Sequence, residues 1–215
     1  MKGDILIIKE HHENAAHEVA NIALPLIRKA KEAYIITIAG ESGAGKSEIA
    51  EALKIILEKD GIHTYIFQQD DFFIFPPLTN AKKRREDLSW VGMQEVKLEL
   101  LDQILEALKN GITEIEKPLV VFGEDRITEE TLDMTGIKVI LAEGTYTTVL
   151  KNADFHIFID RDMNDTRASR IERGREVQDE FLEKVLRIEH EIISRHKEKA
   201  NIIIRKDFSV QNQSG

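Results

Sequence analysis

The sequence predicts an α/β protein with a mainly parallel sheet and helices on both faces. Three observations carry this reading. Short apolar runs alternate with amphipathic stretches along most of the 215 residues. A glycine-rich turn at residues 40–47 lies directly between one apolar run and one amphipathic stretch. Stop signals such as Asp60-Gly61 and Gly111 fall where helical spacing ends. Strands that alternate with helices pair in parallel and are buried on both faces.

The elements follow in order. Residues 5–8 read as a short strand. Residues 14–30 place Ala16, Val19, Ala20, Ala23 and Ile27 at helical spacing, and Pro25 predicts a kink or two shorter helices. Residues 34–39 form an apolar strand. Residues 46–58 repeat Ile49, Leu53, Ile56 and Leu57 as a helix. Residues 63–68 are another strand. Residues 93–109 are helical, with Leu100, Leu101, Ile104, Leu105 and Leu108. Residues 119–122, 138–142 and 155–160 are further strands, 163–173 and 178–196 helices, and 201–204 a last strand. Residues 1–33 are an extension packed on the core, residues 34–208 the main domain, and residues 209–215 a frayed polar tail.

Composition narrows the classes. The chain is 42% hydrophobic and 32% charged, as expected of a soluble globular domain. Its net charge of -9 argues against nucleic acid as a partner, since phosphate contacts need clustered Lys and Arg. There is no cysteine, which excludes disulfides, thiolate metal sites and a thiol nucleophile. The N-terminus has neither a signal peptide pattern nor a membrane span, so a cytoplasmic protein without a membrane partner is expected. A homo-oligomer remains open.

Chemistry enters at Gly40-Glu41-Ser42-Gly43-Ala44-Gly45-Lys46-Ser47, a full G-x-x-x-x-G-K-[ST] motif. The glycines let successive N–H groups turn inward around phosphates. Lys46 brings charge to the β- and γ-phosphates, Ser47 offers a hydroxyl to Mg²⁺, and the helix opening at Lys46 aims its dipole at the anion. A strand running in and a helix running out are the context this mechanism needs. The fold expected is therefore the three-layer P-loop NTPase fold, with ATP and Mg²⁺ as ligands. An Asn-Lys-x-Asp base-reading motif and a Ser-Gly-Gly-Gln signature are both absent, which argues against a GTPase or a transporter ATPase.

Four further elements, in order, resemble the uridine kinase and phosphoribulokinase family over residues 34–208. They are Gln69-Asp70-Asp71-Phe72-Phe73 after the second strand, Ile140-Leu-Ala-Glu143-Gly144, Glu172-Arg173-Gly174-Arg175, and the closing Lys199-Ala-Asn-Ile-Ile-Ile204. The resemblance implies a kinase that moves the γ-phosphate of ATP onto an alcohol group of a small molecule. It implies that Asp70 is the base on the acceptor hydroxyl, and that Glu143 holds magnesium with Ser47. Arg167, Arg170, Arg173 and Arg175 would neutralise phosphate charge from an Arg-rich lid at about residues 167–178. Asp71 stands where that family usually has a small polar residue. Phosphoryl transfer is mostly positioning and charge neutralisation, so a lysine, a metal, arginines and one carboxylate are what it requires.

Other groups have plainer readings. Lys82-Lys83-Arg84-Arg85 has two readings, a site for an anionic substrate group and, more commonly for such a run, a solvated face. Trp90 is a core or pocket-wall residue, and His11, His12 and His17 are surface histidines. The family's His-Pro-Asp-like stretch is replaced by Ser89-Trp90-Val91-Gly92-Met93-Gln94, Phe73 replaces a tyrosine, and the lid is shorter. These departures fall on the acceptor side. A nucleoside is the first acceptor to consider, with a sugar phosphate or small hydroxy acid as alternatives. An NTP-binding or hydrolysing regulatory module without a small acceptor is the rival of another class.

Overall fold

A computed structural model describes residues 6–174 and 177–213. Strands β1 (Tyr34–Gly40), β2 (Thr64–Gln68), β5 (Val139–Glu143), β6 (Phe155–Ile159), β7 (Ile202–Ile204) and β8 (Val210–Asn212) form one sheet in the order β2-β5-β1-β6-β7-β8. All its pairs are parallel except β7 with β8. Strands β3 (Glu114–Val121) and β4 (Arg126–Asp133) pair separately as an antiparallel hairpin.

Helices α1 (Glu10–Lys29) and α2 (Lys46–Lys59) cover one face of the sheet. Their alanines (Ala16, Ala20 and Ala23 against Ala50 and Ala52) give the core there small side chains, and Ile27, Ile49, Leu53 and Leu57 fill the rest. Helix α4 (Leu98–Lys109) covers the other face with Leu101, Ile104, Leu105 and Leu108 against Ile35, Phe67 and Ile140. Helix α6 (Glu180–Ile193) adds Ile193 against Ala39, Phe158 and Ile203. Two shorter helices are α3 (Pro77–Glu86) and α5 (Arg167–Arg173). Among the described residues no helix is long and apolar enough to cross a membrane.

The three-layer α/β expectation holds, with local corrections. Residues 6–8 are not a strand but an irregular lead into α1. Helix α1 runs unbroken through Pro25. Pro25 is exposed, and so is Asn21, whose carbonyl loses its partner; solvent can satisfy it. The expected strand at 119–122 is the end of β3 and belongs to the hairpin rather than the parallel sheet. The helix expected from residue 93 begins at Leu98, after a 3₁₀ turn at Met93–Glu95. The tail is not frayed from 209: Val210, Gln211 and Asn212 pair with Ile204, Ile203 and Ile202.

Candidate active site

Register brings the site together. Ile38 of β1 and Gln68 of β2 both lie level with Glu143 of β5. Just past that level β1 enters the glycine-rich loop, β2 delivers Asp70, and β5 ends at Glu143 itself. Three neighbouring strands thus converge at their C-terminal ends, where open α/β sheets place ligands.

The loop has the backbone a phosphate cradle needs. Gly43 and Gly45 have φ of +77° and +99°, a region that side chains rarely adopt. Ser47 Oγ donates to Glu143 Oε1 at 2.9 Å, and Lys46 Nζ donates to the Glu41 carbonyl at 3.0 Å. Burial pushes the Glu143 carboxyl up to about 7; the Lys46 charge opposes the rise, Asp70 adds to it and the Ser47 bond opposes it. Gly144 follows because a Cβ there would lie 2.2 Å from Gln69 Cβ. Gln69 in turn accepts the Tyr146 N–H at 2.7 Å.

Asp70 and Asp71 lie in a 3₁₀ turn, Gln69–Phe72, that follows β2. The turn separates the two side chains. Asp71 is buried, 2.8 Å from Lys117 Nζ, and accepts the Val120 N–H at 3.0 Å. It anchors the β3–β4 hairpin, since Lys117 also meets Glu130 at 2.8 Å. Asp70 is half-buried and near enough to Glu143 to influence its titration.

The arginine segment is only partly described. Arg175 lies outside the described residues, and the same holds for the side chain of Arg173. Arg170 is buried rather than on a solvated face. It donates to the Thr166 hydroxyl and to the Met163 carbonyl, and its Cγ would be 2.8 Å from a Cβ at Gly43. Arg167 is exposed.

Several groups near the site have partners that were not legible in the sequence. Glu41 of the loop is buried, and its Oε1 is 2.5 Å from His190 Nδ1 on α6. Burial raises the Glu41 carboxyl, and the bond to Glu41 raises His190. Arg84 is not solvated as its charge run suggested. Its Nη2 is 2.5 Å from Glu95 Oε2 and 3.0 Å from Glu189 Oε1, and Glu95 is fully buried. The four-residue spacing from buried Asn80 puts Arg84 on the inner face of α3. Trp90 is half-buried, packs against Phe75 and donates to Asn80 at 2.9 Å. His17 is exposed as expected, but His12 is buried beside Gly45. With His11, Arg161 and Phe208 it lines a cavity of about 110 Å³ next to the loop. Burial, with help from neighbouring cations and His11, pushes His12 down to about 4.

A parallel sheet with a glycine-rich loop after its central strand, a serine–carboxylate pair and a second acid at the next strand end defines a P-loop kinase. Residues 35–211 match the model of the phosphoribulokinase / uridine kinase family, and the chain belongs to that family. It is 27% identical over 198 residues to the bifunctional alpha-galactosidase/sucrose kinase AgaSK of Mediterraneibacter gnavus, covering 86% of this chain but only 21% of that protein. It is 28% identical over 187 residues to a uridine kinase of Shewanella piezotolerans, covering 81% and 88% of the two chains. In fold it is similar to phosphoribulokinase from Rhodobacter spheroides, with a TM-score of 0.65, 15% identity, and 82% and 71% of the two chains covered.

Proposed function

We propose that this kinase transfers the γ-phosphate of ATP to a hydroxyl of a small molecule, with Asp70 as the base. The observation that supports this most is the meeting of the loop at 40–47, the Ser47–Glu143 pair and Asp70 at one edge of the sheet. Residues 40–47 wrap the triphosphate, with Lys46 against its β- and γ-oxygens. Asp70 takes the proton of the acceptor hydroxyl. That oxygen forms a bond to the γ-phosphorus while the bond to the bridging oxygen breaks and ADP departs. Arg173 and Arg175 neutralise charge on the moving group from the lid.

The donor set fits magnesium: a hydroxyl at a helix start and a buried carboxylate are both hard oxygen ligands. Ser47 and Glu143 would hold Mg²⁺, which supplies charge neutralisation on the phosphates. Sucrose and uridine, the acceptors in the names of two relatives, make sugars and nucleosides the first acceptors to try. Lys46→Ala should lower acceptor-dependent ADP release by at least about 10²-fold and weaken ATP binding, because a point charge on the transferred group is gone. Near-normal turnover in that variant would remove the basis of the reading. ADP release that no alcohol stimulates would favour an NTP-hydrolysing module instead.

A further inference from the structure

We infer that α1, which lies outside the residues that match the family model, supplies one wall of the nucleobase site. His11 and His12 at its start form, with Phe208, the aromatic surface against which the base of ATP stacks. This rests on the kinase reading above and deepens it, by naming residues at the far end of the nucleotide.

A nucleotide on the loop has two ends. Its γ-phosphate faces Asp70 and the Ser47–Glu143 pair, so its base leaves the loop elsewhere. The cavity of about 110 Å³ borders the loop at Gly43 and Gly45, and neither Ser47, Asp70 nor Glu143 lines it. That is too small for a whole nucleoside and suits one flat heterocycle, with the ribose left at the mouth. The wall is built of rings. His11 and Phe208 lie 4.2 Å apart and tilted by 33°, and His11 and His12 lie 4.2 Å apart edge to face. The Arg161 guanidinium sits 4.7 Å over the Phe208 ring. Every base has a π-face, so aromatic rings and a guanidinium plane hold it by stacking. Arg161 Nε is also buried without a hydrogen-bond partner among the described residues. A ring nitrogen of the base would satisfy that donor.

Two features fix this surface in place. Phe208 has a φ of +65°, a region that bulky side chains rarely adopt, and its N–H donates to the Arg205 carbonyl at 2.8 Å in the turn between β7 and β8. Backbone strain of this kind persists where the surroundings over-determine a side chain's direction. His12 is seated on the loop itself: a Cβ at Gly45 would lie 3.0 Å from its Nε2 and 3.5 Å from Phe208 Cε1. Its Nδ1 accepts the Lys9 N–H at 3.2 Å, which fixes the ring. Burial holds both histidines below their usual 6.5, with neighbouring cations adding to the fall, so both rings are uncharged at neutral pH. On the far side Lys9 Nζ is 2.7 Å from Glu172 of α5, and Ser169 of the same helix lines the cavity. The start of α1 thus bridges the phosphate loop and the arginine-bearing helix.

The test compares a non-hydrolysable Mg-ATP analogue with Mg-tripolyphosphate, which has phosphates and no base, by titration calorimetry on the full chain. His11→Ala should weaken the analogue about 5- to 100-fold, the range that loss of one base–aromatic contact produces, and leave tripolyphosphate within about 2-fold of wild type. His11→Phe keeps a flat ring and should hold the analogue within about 3-fold of wild type. Ser169 is half-buried at the cavity wall, so Ser169→Phe fills the cavity from α5 and should weaken the analogue by at least about 5-fold. Unchanged analogue binding in His11→Ala or in Ser169→Phe would overturn the inference and leave the kinase reading intact. So would an equal loss of analogue and tripolyphosphate in His11→Ala, or a loss in His11→Phe as large as in His11→Ala. A wild-type protein that binds neither ligand would overturn the kinase reading, and the inference with it.

Discussion

Asp70 and Asp71 show how far a single residue's surroundings decide its role. The pair was legible as a pair, because two acids after an apolar run and before two phenylalanines mark a strand end. Which acid pairs with Lys117 was not legible. Lys117 is 46 residues away in sequence, and only the hairpin brings it back to Asp71. The same holds for His190, which meets Glu41 across 149 residues. The split gives opposite expectations for two isosteric changes. Asp71→Asn removes the charge facing buried Lys117, so it should cost on the order of 2 kcal/mol in urea unfolding. Asp70→Asn should leave the unfolding midpoint close to wild type and lower acceptor phosphorylation by about 10² to 10⁴-fold. If the turnover defect followed Asp71 and the stability defect Asp70, the base would be misassigned by one residue.

At the scale of elements, periodicity found the strands and helices that bury an apolar stripe and missed those that do not. Helix α3 buries only Asn80 fully, with Arg84 largely covered, so its sequence carries no apolar repeat. Strand β4, Arg-Ile-Thr-Glu-Glu-Thr-Leu-Asp, alternates between half-buried and exposed positions and lacks the apolar run used to find the others. Helix α1 was found by its spacing, although it lies before the residues that match the family model. Its buried face is rich in alanine, and Ala16, Ala20 and Ala23 pack in one core with Ala50 and Leu53 of α2. Packing this close leaves no room for larger side chains. Ala20→Leu should therefore destabilise the protein by about 1–3 kcal/mol, read as a lower urea midpoint at unchanged slope. An unchanged midpoint would mean that α1 is a loosely attached surface helix, contrary to its burial.

Across the whole molecule, α6 is the element that touches both halves of the site. Its adjacent residues diverge. Glu189 holds Arg84, and with it Glu95 and the segment beside Asp70, while His190 holds Glu41 in the phosphate loop. Residues about 100° apart on one rigid helix cannot be moved independently. A shift of α6 when the acceptor site fills would therefore be felt at the loop, and the reverse must hold by linkage. The wild-type protein should bind a non-hydrolysable ATP analogue at least about 5-fold more tightly when a saturating acceptor is present. His190→Gln should remove most of that gain while changing acceptor-free analogue binding much less. The pH dependence has a definite sign. The bond to Glu41 raises His190 above its usual 6.5, so His190 is charged below that value, and the pair holds down to the pH at which the raised Glu41 carboxyl protonates. It weakens as pH rises through the raised pKa of His190, when buried Glu41 is left without its cation. The acceptor's effect on analogue binding should fade as pH rises through the raised His190 pKa in the wild type and stay flat in His190→Gln, measured by titration calorimetry. A gain of equal size in both proteins at every pH would show that the two half-sites communicate by some route other than α6.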